Sequence, residues 1–459
     1  MRYFLDPFGC VKNQVDAENM MAHLNKEGWE NVSEAEQADL IIVNSCGFIE
    51  SAKRESIDAV LEWRKLYPSK KILLAGCLAQ RYAKELSESM PEADDFFGVD
   101  NLAQITQIAT NLINGGKNAN LSHNAALSAG ERPLLSLPGS AYVKISEGCN
   151  NRCSFCAIPL IRGHLVSRTI PDILEECNAL LDRGIKELCV IGQDIGAFGT
   201  DAVCGANMDT AAKLPELLEA ISSIKGKEHF WVRLLYIHPD HFPLQILDIM
   251  ERDSRFLPYF DIPFQHSSAK ILTAMNRHGN AEKYLALLKT IRARLPNAVI
   301  RSTFLLGFPG ETDEDFAELL DFQEKANLDW LGCFVYSREE GTTAYPMKKR
   351  VPVKIAEKRK QIIEERQIPI TEKNMDRFVS QNLEVLIEEQ IAATETGTNS
   401  VSSEESETLW LGRLYCQAPD IDGAAVIVKS ETSKSNPQPG TFVKCRVISR
   451  RGFDLEVRV

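Results

Sequence analysis

The sequence predicts an α/β protein in three parts: an N-terminal parallel sheet with covering helices, a central open or partial barrel of about six βα units, and a small all-β barrel at the C-terminus. Three observations predict it. Three short apolar runs, each ending at a cysteine, punctuate the first part of the chain, with helical stretches between and after them. Strand–helix alternation then resumes from Ala141 to about Tyr345, and after about Phe378 it gives way to short β-rich runs separated by turns. Alternation at this spacing indicates parallel strands, and short strands between Pro/Gly turns indicate a barrel.

In order, the run Arg2–Phe8 ends at Gly9-Cys10 and precedes a helical stretch near Val15 to Glu27. Asp39–Val43 ends at Asn44-Ser45-Cys46 and precedes a stretch near Glu50 to Leu66, and Lys71–Ala75 ends at Gly76-Cys77. Residues 115–140 are rich in Gly, Ser, Asn and Pro and read as a linker. Central strand candidates are Ala141–Ser146, Glu187–Ile191, His229–Tyr236, Tyr259–Ile262, Val299–Leu306 and Leu331–Tyr336. Six such units suit an open or partial barrel rather than a full eight-fold one. Lys354–Asp376 reads as a charged helix broken near Pro369. The last part contains a polar insert, Thr394–Thr408, and turns at Pro419–Gly423 and Pro437–Gly440. The expected domains are therefore 1–114, 141–377 and 378–459, joined first by the linker 115–140.

The composition is ordinary for a globular chain, 44% hydrophobic and 25% charged. No run approaches the length of a membrane span, and the start lacks the apolar core of a signal peptide, so a cytoplasmic location is expected. The net charge of −12 argues against a general nucleic-acid binder, which must neutralise phosphates, and suits a basic protein partner. Twelve cysteines without export signals point to metal or catalysis rather than to a disulfide framework.

The strongest motif is Cys149-Asn-Asn-Arg-Cys153-Ser-Phe-Cys156, just after the first central strand. Three thiolates in so short a loop can wrap one iron–sulfur cluster, and a four-iron cluster with three protein ligands keeps one iron open to a small molecule. The spacing is unusual for structural zinc. Cys10, Cys46 and Cys77 lie far apart in sequence, but each follows a predicted strand, and the carboxyl ends of parallel strands converge on one crevice. Three buried packing cysteines are the alternative reading of that set. Cys177, Cys189, Cys204, Cys333, Cys416 and Cys445 form no motif and read as packing residues.

With Glu147-Gly148 before it and Ile158-Pro159 after it, the cysteine loop resembles the radical S-adenosylmethionine superfamily. The N-terminal set narrows this. Gly9-Cys10-Val11-Lys12-Asn13 with Asp16 and Glu18, Asn44-Ser45-Cys46 and Gly76-Cys77 resemble the methylthiotransferases over essentially the whole chain. The resemblance implies a flavodoxin-like N-terminal sheet, a partial (βα)6 radical S-adenosylmethionine barrel and a TRAM-type C-terminal barrel. It implies two 4Fe–4S clusters, on Cys149, Cys153 and Cys156 and on Cys10, Cys46 and Cys77. It further implies S-adenosylmethionine at the open iron, reductive cleavage to a 5′-deoxyadenosyl radical, and an electron donor such as flavodoxin or ferredoxin.

By position alone Gln193-Asp194 after the strand Glu187–Ile191 and the turn Gly307-Phe308-Pro309-Gly310-Glu311-Thr312 read equally as a polar loop and an ordinary strand–helix turn; the resemblance implies cofactor contacts at Gln193, Asp194, Gly307 and Gly310. Gln265 and His266 of Asp261-Ile262-Pro263-Phe264-Gln265-His266 are candidates to face the cavity, although a lone histidine such as His266 is more often satisfied structurally than catalytic. Arg162, Arg168 and Arg301 are expected to bind carboxylates or to form surface ion pairs, with Arg301 among the cofactor contacts. No catalytic acid or base is assigned.

Within the family two substrates compete, an adenosine of tRNA and an aspartate of small-subunit ribosomal protein twelve. The stretch from Phe378 to Val459 holds 8 Lys+Arg and 12 Asp+Glu, a net of −4, which suits a basic ribosomal protein and disfavours tRNA. Asp261–His266, Tyr336–Gly341 and Gln417–Gly423 resemble the protein-modifying subfamily. The turn Asp420-Ile421-Asp422-Gly423 is expected to present two carboxylates outward as the partner contact. A redox or scaffold protein with two structural clusters remains the alternative from another class.

Overall fold

The computed structural model describes residues 1–116, 131–201, 212–391, 409–429 and 437–459. Cys204 and the expected insert Thr394–Thr408 lie outside the described residues.

The N-terminal part holds β1 (Arg2–Pro7), α1 (Val11–Lys26), β2 (Glu30–Asn31), β3 (Leu40–Ser45), α2 (Glu50–Leu66), β4 (Lys71–Gly76), α3 (Cys77–Ser89), β5 (Asp95–Phe97) and α4 (Ile105–Ile113). All strand pairs are parallel, in the order β2-β1-β3-β4-β5. Helices on both faces explain why every residue of β3 is buried and why the run reads as continuously apolar rather than alternating. In this order the chain reverses direction across the sheet between β1 and β3, the place where open α/β sheets leave a crevice at their carboxyl edge. Pro7 pairs with Asn44, and Ser45 with Gly76, so the loops bearing Cys10, Cys46 and Cys77 leave the sheet side by side.

The central part runs β6 (Ser140–Lys144), β7 (Ser146–Glu147), α5 (Ile158–Ile161), β8 (Val166–Ser167), α6 (Ile170–Asp182), β9 (Glu187–Ile191), α7 (Leu214–Ser222), β10 (Trp231–Leu234), α8 (Ile246–Arg252), β11 (Phe256–Asp261), α9 (Ala269–Ala274), α10 (Ala281–Arg294), β12 (Val299–Leu306), α11 (Asp313–Ala326), β13 (Trp330–Val335) and α12 (Val353–Asp376). Six strands form one parallel sheet, β13-β12-β11-β10-β9-β6, the expected partial barrel. Strand alternation sorts its two faces. Ala141, Val143, Leu188, Val190 and Val232 pack outward under the helices, while Tyr142, Cys189, Trp231, Tyr259 and Val299 turn to the inside. Helix α12 is continuous through Pro369, where a break was expected. Pro369 lies on the exposed face, so the carbonyl deprived of its donor can turn to solvent.

The chain ends in a closed barrel, β14 (Asn382–Ile391), β15 (Leu409–Arg413), β16 (Ala425–Val428), β17 (Phe442–Arg451) and β18 (Asp454–Arg458). Its apolar residues Leu386, Trp410, Leu414 and Ala418 belong to the same core as the inward Tyr142, Trp231, Tyr259 and Trp330 of the central sheet. This barrel therefore plugs the amino end of the partial barrel and shares its core.

Buried charge fastens the joints. Arg413 of the C-terminal barrel reaches Glu187 at the start of β9 at 2.5 Å and also pairs with Glu388, while Glu187 accepts from Arg233 at 2.7 Å. At the other joint, Arg132 donates to Glu18 at 2.8 Å, to Glu176 and to the Tyr142 carbonyl. Leu135 N–H donates to Glu18 at 2.9 Å. The described end of the expected linker, residues 131–140, is thus a half-buried strap pinned by a buried Arg132, because Arg132 and the Leu135 amide find their acceptors on both neighbouring parts. Glu339, beyond β13, pairs with Lys53 and Arg81 of the N-terminal part.

Arg413→Ala is expected to destabilise the protein by about 3–5 kcal/mol, because it leaves Glu187 and Glu388 buried with reduced compensation. The shift of the urea midpoint measures this. A loss below 1 kcal/mol would mean that the joint does not depend on this charge.

Candidate functional site

One cavity of about 400 Å³ opens between the carboxyl edges of the two parallel sheets, and all six motif cysteines line it. Cys10 is the N-cap of α1 and Cys77 the first residue of α3, so two helix N-termini point at this wall and favour anionic ligands there. The loops crowd closely. A Cβ on Gly47 would stand 2.6 Å from the Cys77 carbonyl, and one on Gly9 would stand 3.4 Å from the Cys46 sulfur. Asn13 ties them: its Nδ2 donates to the Phe8 carbonyl at 2.6 Å and to the Ser45 carbonyl at 3.2 Å, and its Oδ1 lies 3.6 Å from the Cys77 sulfur.

The second wall is the loop Cys149–Cys156. It is held by Cys149 N–H to the Gly163 carbonyl, Ser154 N–H to the Met275 carbonyl and Asn276 Nδ2 to the Arg152 carbonyl. Asn151 Nδ2 donates to Asp194 at 2.8 Å. Burial pushes the thiols of Cys77 and Cys156 up to about 12 and that of Cys149 up to about 11. Unligated, these groups are thiols rather than free nucleophiles, and a metal centre must displace their protons. Among the described residues no three ligand side chains close on a single ion. A four-iron cluster binds each thiolate through a different iron, so its ligands stand further apart than those of one ion.

Between the walls runs a buried charge network. Lys144 pairs with Asp16 and, at 2.6 Å, with Glu147; Arg162 reaches Asp16 and Glu147, each at 2.8 Å, and donates to the Cys77 sulfur at 3.1 Å. Burial alone would raise Glu147, but Arg162 and Lys144 outweigh it and hold the carboxyl well below its usual range. The carboxylates that Arg162 was expected to bind are thus the protein's own. Arg168 likewise pairs with Glu176.

Of the other expected contacts, the structure brings Gln193 and Gln265 to the cavity. Gln193 donates to Glu147 at 2.9 Å, and its Oε1 is buried without a partner. Asp194 does not line the wall. It lies beneath, accepting from Asn151, from the backbone amides of Gly196 and His238, and from His241. His266 is fully buried, its Nδ1 accepting from the Ser267 and Ser268 amides, rather than facing the cavity.

Gly307 and Gly310 also lie off the cavity. A Cβ on Gly307 would come 2.4 Å from the Ala356 Cβ, so close packing of α12 is what its small size serves here. Gly310 N–H donates to the Lys349 carbonyl. Arg301 sits only three residues into β12 and reaches Asp261 at 3.1 Å and Asp422 at 3.6 Å, at the joint with the C-terminal barrel. Its guanidinium is taken up by these two carboxylates, and it is not among the residues that line the cavity of the six cysteines.

Asp422 corrects a second expectation. Its side chain is 1% exposed, accepting from the Tyr259 hydroxyl at 2.6 Å and the Ala418 amide at 2.8 Å. It latches the barrel and does not present charge outward; of the two carboxylates, only that of Asp420 belongs to an exposed residue. Lys12, Tyr236 and Arg277 also line the cavity, and sequence reasoning assigned none of them a role. Lys12 stands in the motif after Cys10, but nothing in the sequence shows what a lysine there would face.

A partial parallel barrel with a three-cysteine loop at its carboxyl edge is the frame of a radical S-adenosylmethionine enzyme. Residues 143–322 match the Radical SAM superfamily, residues 2–98 the Uncharacterized protein family UPF0004, and residues 379–459 the TRAM domain. The fold is similar to that of the radical S-adenosylmethionine methyltransferase TsrM from Kitasatospora setae, with a TM-score of 0.57 and 14% identity over 75% of this chain and 76% of that one.

Much nearer relatives are named ribosomal protein uS12 methylthiotransferase RimO. That of Treponema denticola is 46% identical over 98% of this chain and 99% of its own. That of Syntrophomonas wolfei is 40% identical over 97% of each, and that of Pseudothermotoga lettingae 39% over 99% of each. The chain belongs to this methylthiotransferase family, whose radical S-adenosylmethionine domain binds S-adenosylmethionine and a 4Fe–4S cluster. Among the described residues no helix is long and apolar enough to cross a membrane.

Two outcomes follow from this geometry. Gly76 has φ +94°, and a Cβ there would stand 2.6 Å from the Ser45 carbonyl. Gly76→Ala is therefore expected to cost on the order of 1–3 kcal/mol and to reduce bound iron, by parting the Cys46 and Cys77 loops. Unchanged iron content would show that this turn does not position the ligands.

The second concerns pH. Burial pushes the Asp422 carboxyl up to about 6 against the opposing pull of Arg301, Tyr259 and the Ala418 amide. Arg301 stands nearer to Asp261, so its charge is shared. With an unfolded value near ~3.9, this proton is held more tightly in the folded chain, and the stability it brings is lost as pH rises from about 4 to about 6. Asp422→Asn should therefore gain on the native protein by up to about 3 kcal/mol between pH 4 and pH 7. A pH-independent difference in denaturation midpoint would contradict this.

Proposed function

We propose that the chain attaches a methylthio group to the β-carbon of an aspartate in ribosomal protein uS12. One observation carries the proposal: six cysteines, drawn from two sheets, line one cavity. The names of the RimO relatives support uS12 as the substrate.

A β-carbon hydrogen beside a carboxylate is not acidic enough for a side-chain base at neutral pH. Two bound 4Fe–4S clusters with S-adenosylmethionine would supply hydrogen-atom abstraction, sulfur and methyl. The cysteines of the loop Cys149–Cys156 would hold the cluster that binds S-adenosylmethionine, and Cys10, Cys46 and Cys77 would hold the sulfur-donating one.

The chain's own residues place these parts. Asn13 fixes the loop carrying Cys10 against those carrying Cys46 and Cys77. Arg162 donates to the Cys77 sulfur, withdrawing charge from that ligand, and through Glu147 it is tied to Gln193. The partly exposed Gln193 leaves a buried oxygen free to accept from an ammonium group. Apolar lining residues such as Phe155, Ile161 and Phe334 limit the access of water.

Electrons come from a small flavodoxin- or ferredoxin-type donor, and the reaction runs in the cytoplasm. The barrel's acidic surplus consists of Glu395, Glu404, Glu405 and Glu407, so attraction of a basic ribosomal protein rests on that segment rather than on the described strands.

Reconstituted enzyme, reductant and S-adenosylmethionine are incubated with uS12 and, separately, with tRNA, and both are analysed by mass spectrometry. Methylthiolated uS12 is the expected product, and modified tRNA would favour the adenosine substrate instead. Cys153→Ala should abolish deoxyadenosine formation. The combined Cys10, Cys46 and Cys77 to Ala variant should still release deoxyadenosine but make no methylthio product. Wild-type iron and sulfide in that variant would remove those three as ligands.

A further inference from the structure

Nine Lys and Arg side chains are buried among the described residues, and they divide into two groups. Arg132, Lys144, Arg162, Arg168, Arg233, Arg359 and Arg413 each pair with a carboxylate. Lys12 and Arg277 form no ion pair within 4 Å, and both line the cavity of the six cysteines. A buried cation without a counter-charge is costly, so such a group at a cavity wall calls for an anion that the protein itself does not provide.

Lys12 is the more telling of the two. It stands at the second position of α1, and its side chain lies along the cavity with Nζ 2.8 Å from the centroid of the Tyr236 ring. The ring face partly replaces water around the ammonium and fixes its place without neutralising it. Tyr236 lies two residues beyond β10 and has φ +68°, so its backbone is held in a sparsely populated conformation where it supports this side chain. Of the carboxylates whose fields reach Lys12, Glu147 accepts from Lys144 and Arg162, and Asp261 accepts from Arg301 through Oδ1 and keeps a buried Oδ2 without a partner; neither forms an ion pair with the ammonium. Arg277, by contrast, is tied by Nη2 to the Pro263 carbonyl. Its charge acts on the cysteines of the Cys149–Cys156 loop.

We propose that Lys12 is the receptor for the side-chain carboxylate of the aspartate that is modified, and so sets the preference of the site for an acidic target residue. This rests on the uS12 reading above. A carboxylate could also come from the methionyl part of S-adenosylmethionine. The location decides for the protein substrate: Lys12 is two residues from Cys10, on the wall that holds the sulfur-donating ligands, and not on the Cys149–Cys156 loop. A carboxylate clamped there places its neighbouring β-carbon between the two walls, where hydrogen removal and sulfur attachment must both reach it.

The test uses full-length enzyme with reconstituted clusters, and uS12 carrying either aspartate or asparagine at the modified position. The wild type is expected to prefer aspartate by roughly 30-fold or more in kcat/KM, and to bind that form correspondingly more tightly at equilibrium. Lys12→Gln should raise KM for uS12 and collapse the preference toward unity. Lys12→Arg, which keeps the charge, should restore most of it. KM for S-adenosylmethionine should move far less than KM for uS12.

A Lys12→Gln variant that keeps the wild-type preference overturns the proposal, as does one whose main defect is in KM for S-adenosylmethionine. Should Lys12→Gln fail to hold its clusters, the wild type alone still decides: equal equilibrium binding of the two uS12 forms overturns the proposal. Absence of methylthio transfer by the wild type sinks the uS12 reading and this inference together. Transfer with an unaltered preference in Lys12→Gln sinks the inference alone.

Discussion

Parallel strands bring all their carboxyl ends to one edge, and in this protein two such edges face each other across a single cavity. Most of the site follows from that constraint. Backbone pairing puts β1, β3 and β4 side by side and in register, so three cysteines separated by tens of residues emerge together. The opposite wall needs no such convergence, because one short loop after β7 carries all three of its cysteines. Facing two sheet edges brings all six cysteines to one volume without a long mobile arm.

Facing edges must be held at a set distance, and buried charge does this. Asp16 comes from the N-terminal part and Lys144, Glu147 and Arg162 from the central part, and each carboxylate is served by both cations. Such a network is poor evidence of stability, since desolvation consumes much of its attraction, but it accepts only one relative placement of its members. Here it also contacts function, because Arg162 donates to the Cys77 sulfur and Glu147 accepts from Gln193. A shift of one sheet edge against the other would disturb both walls together.

The C-terminal barrel is a structural part as much as a recognition part. Its apolar residues complete the core inside the partial barrel, and Arg413 and Asp422 place charge in that joint. A six-stranded partial barrel leaves its amino end open, and the aromatic side chains turned inward there need cover. The same burial removes Asp422 from any outward contact.

The sequence alone determined the class of the fold, the six cysteines and the family, because each is written locally. Period and run length mark parallel strands, thiol spacing marks a cluster loop, and a cysteine after each of three strands marks a shared edge. Tertiary structure decided what depends on distance between segments far apart in the chain. It brought Arg301 and Asp422 together at a joint and took Asp422 off the surface. It made residues 131–140 a strap, and it kept α12 whole at Pro369 by leaving that face to solvent. It also set Lys12 on the Tyr236 ring without an ion-pair partner. A charged residue reads the same in a sequence whether its partner lies across a joint, in solvent or on a substrate, and only the packing of whole sheets tells these apart.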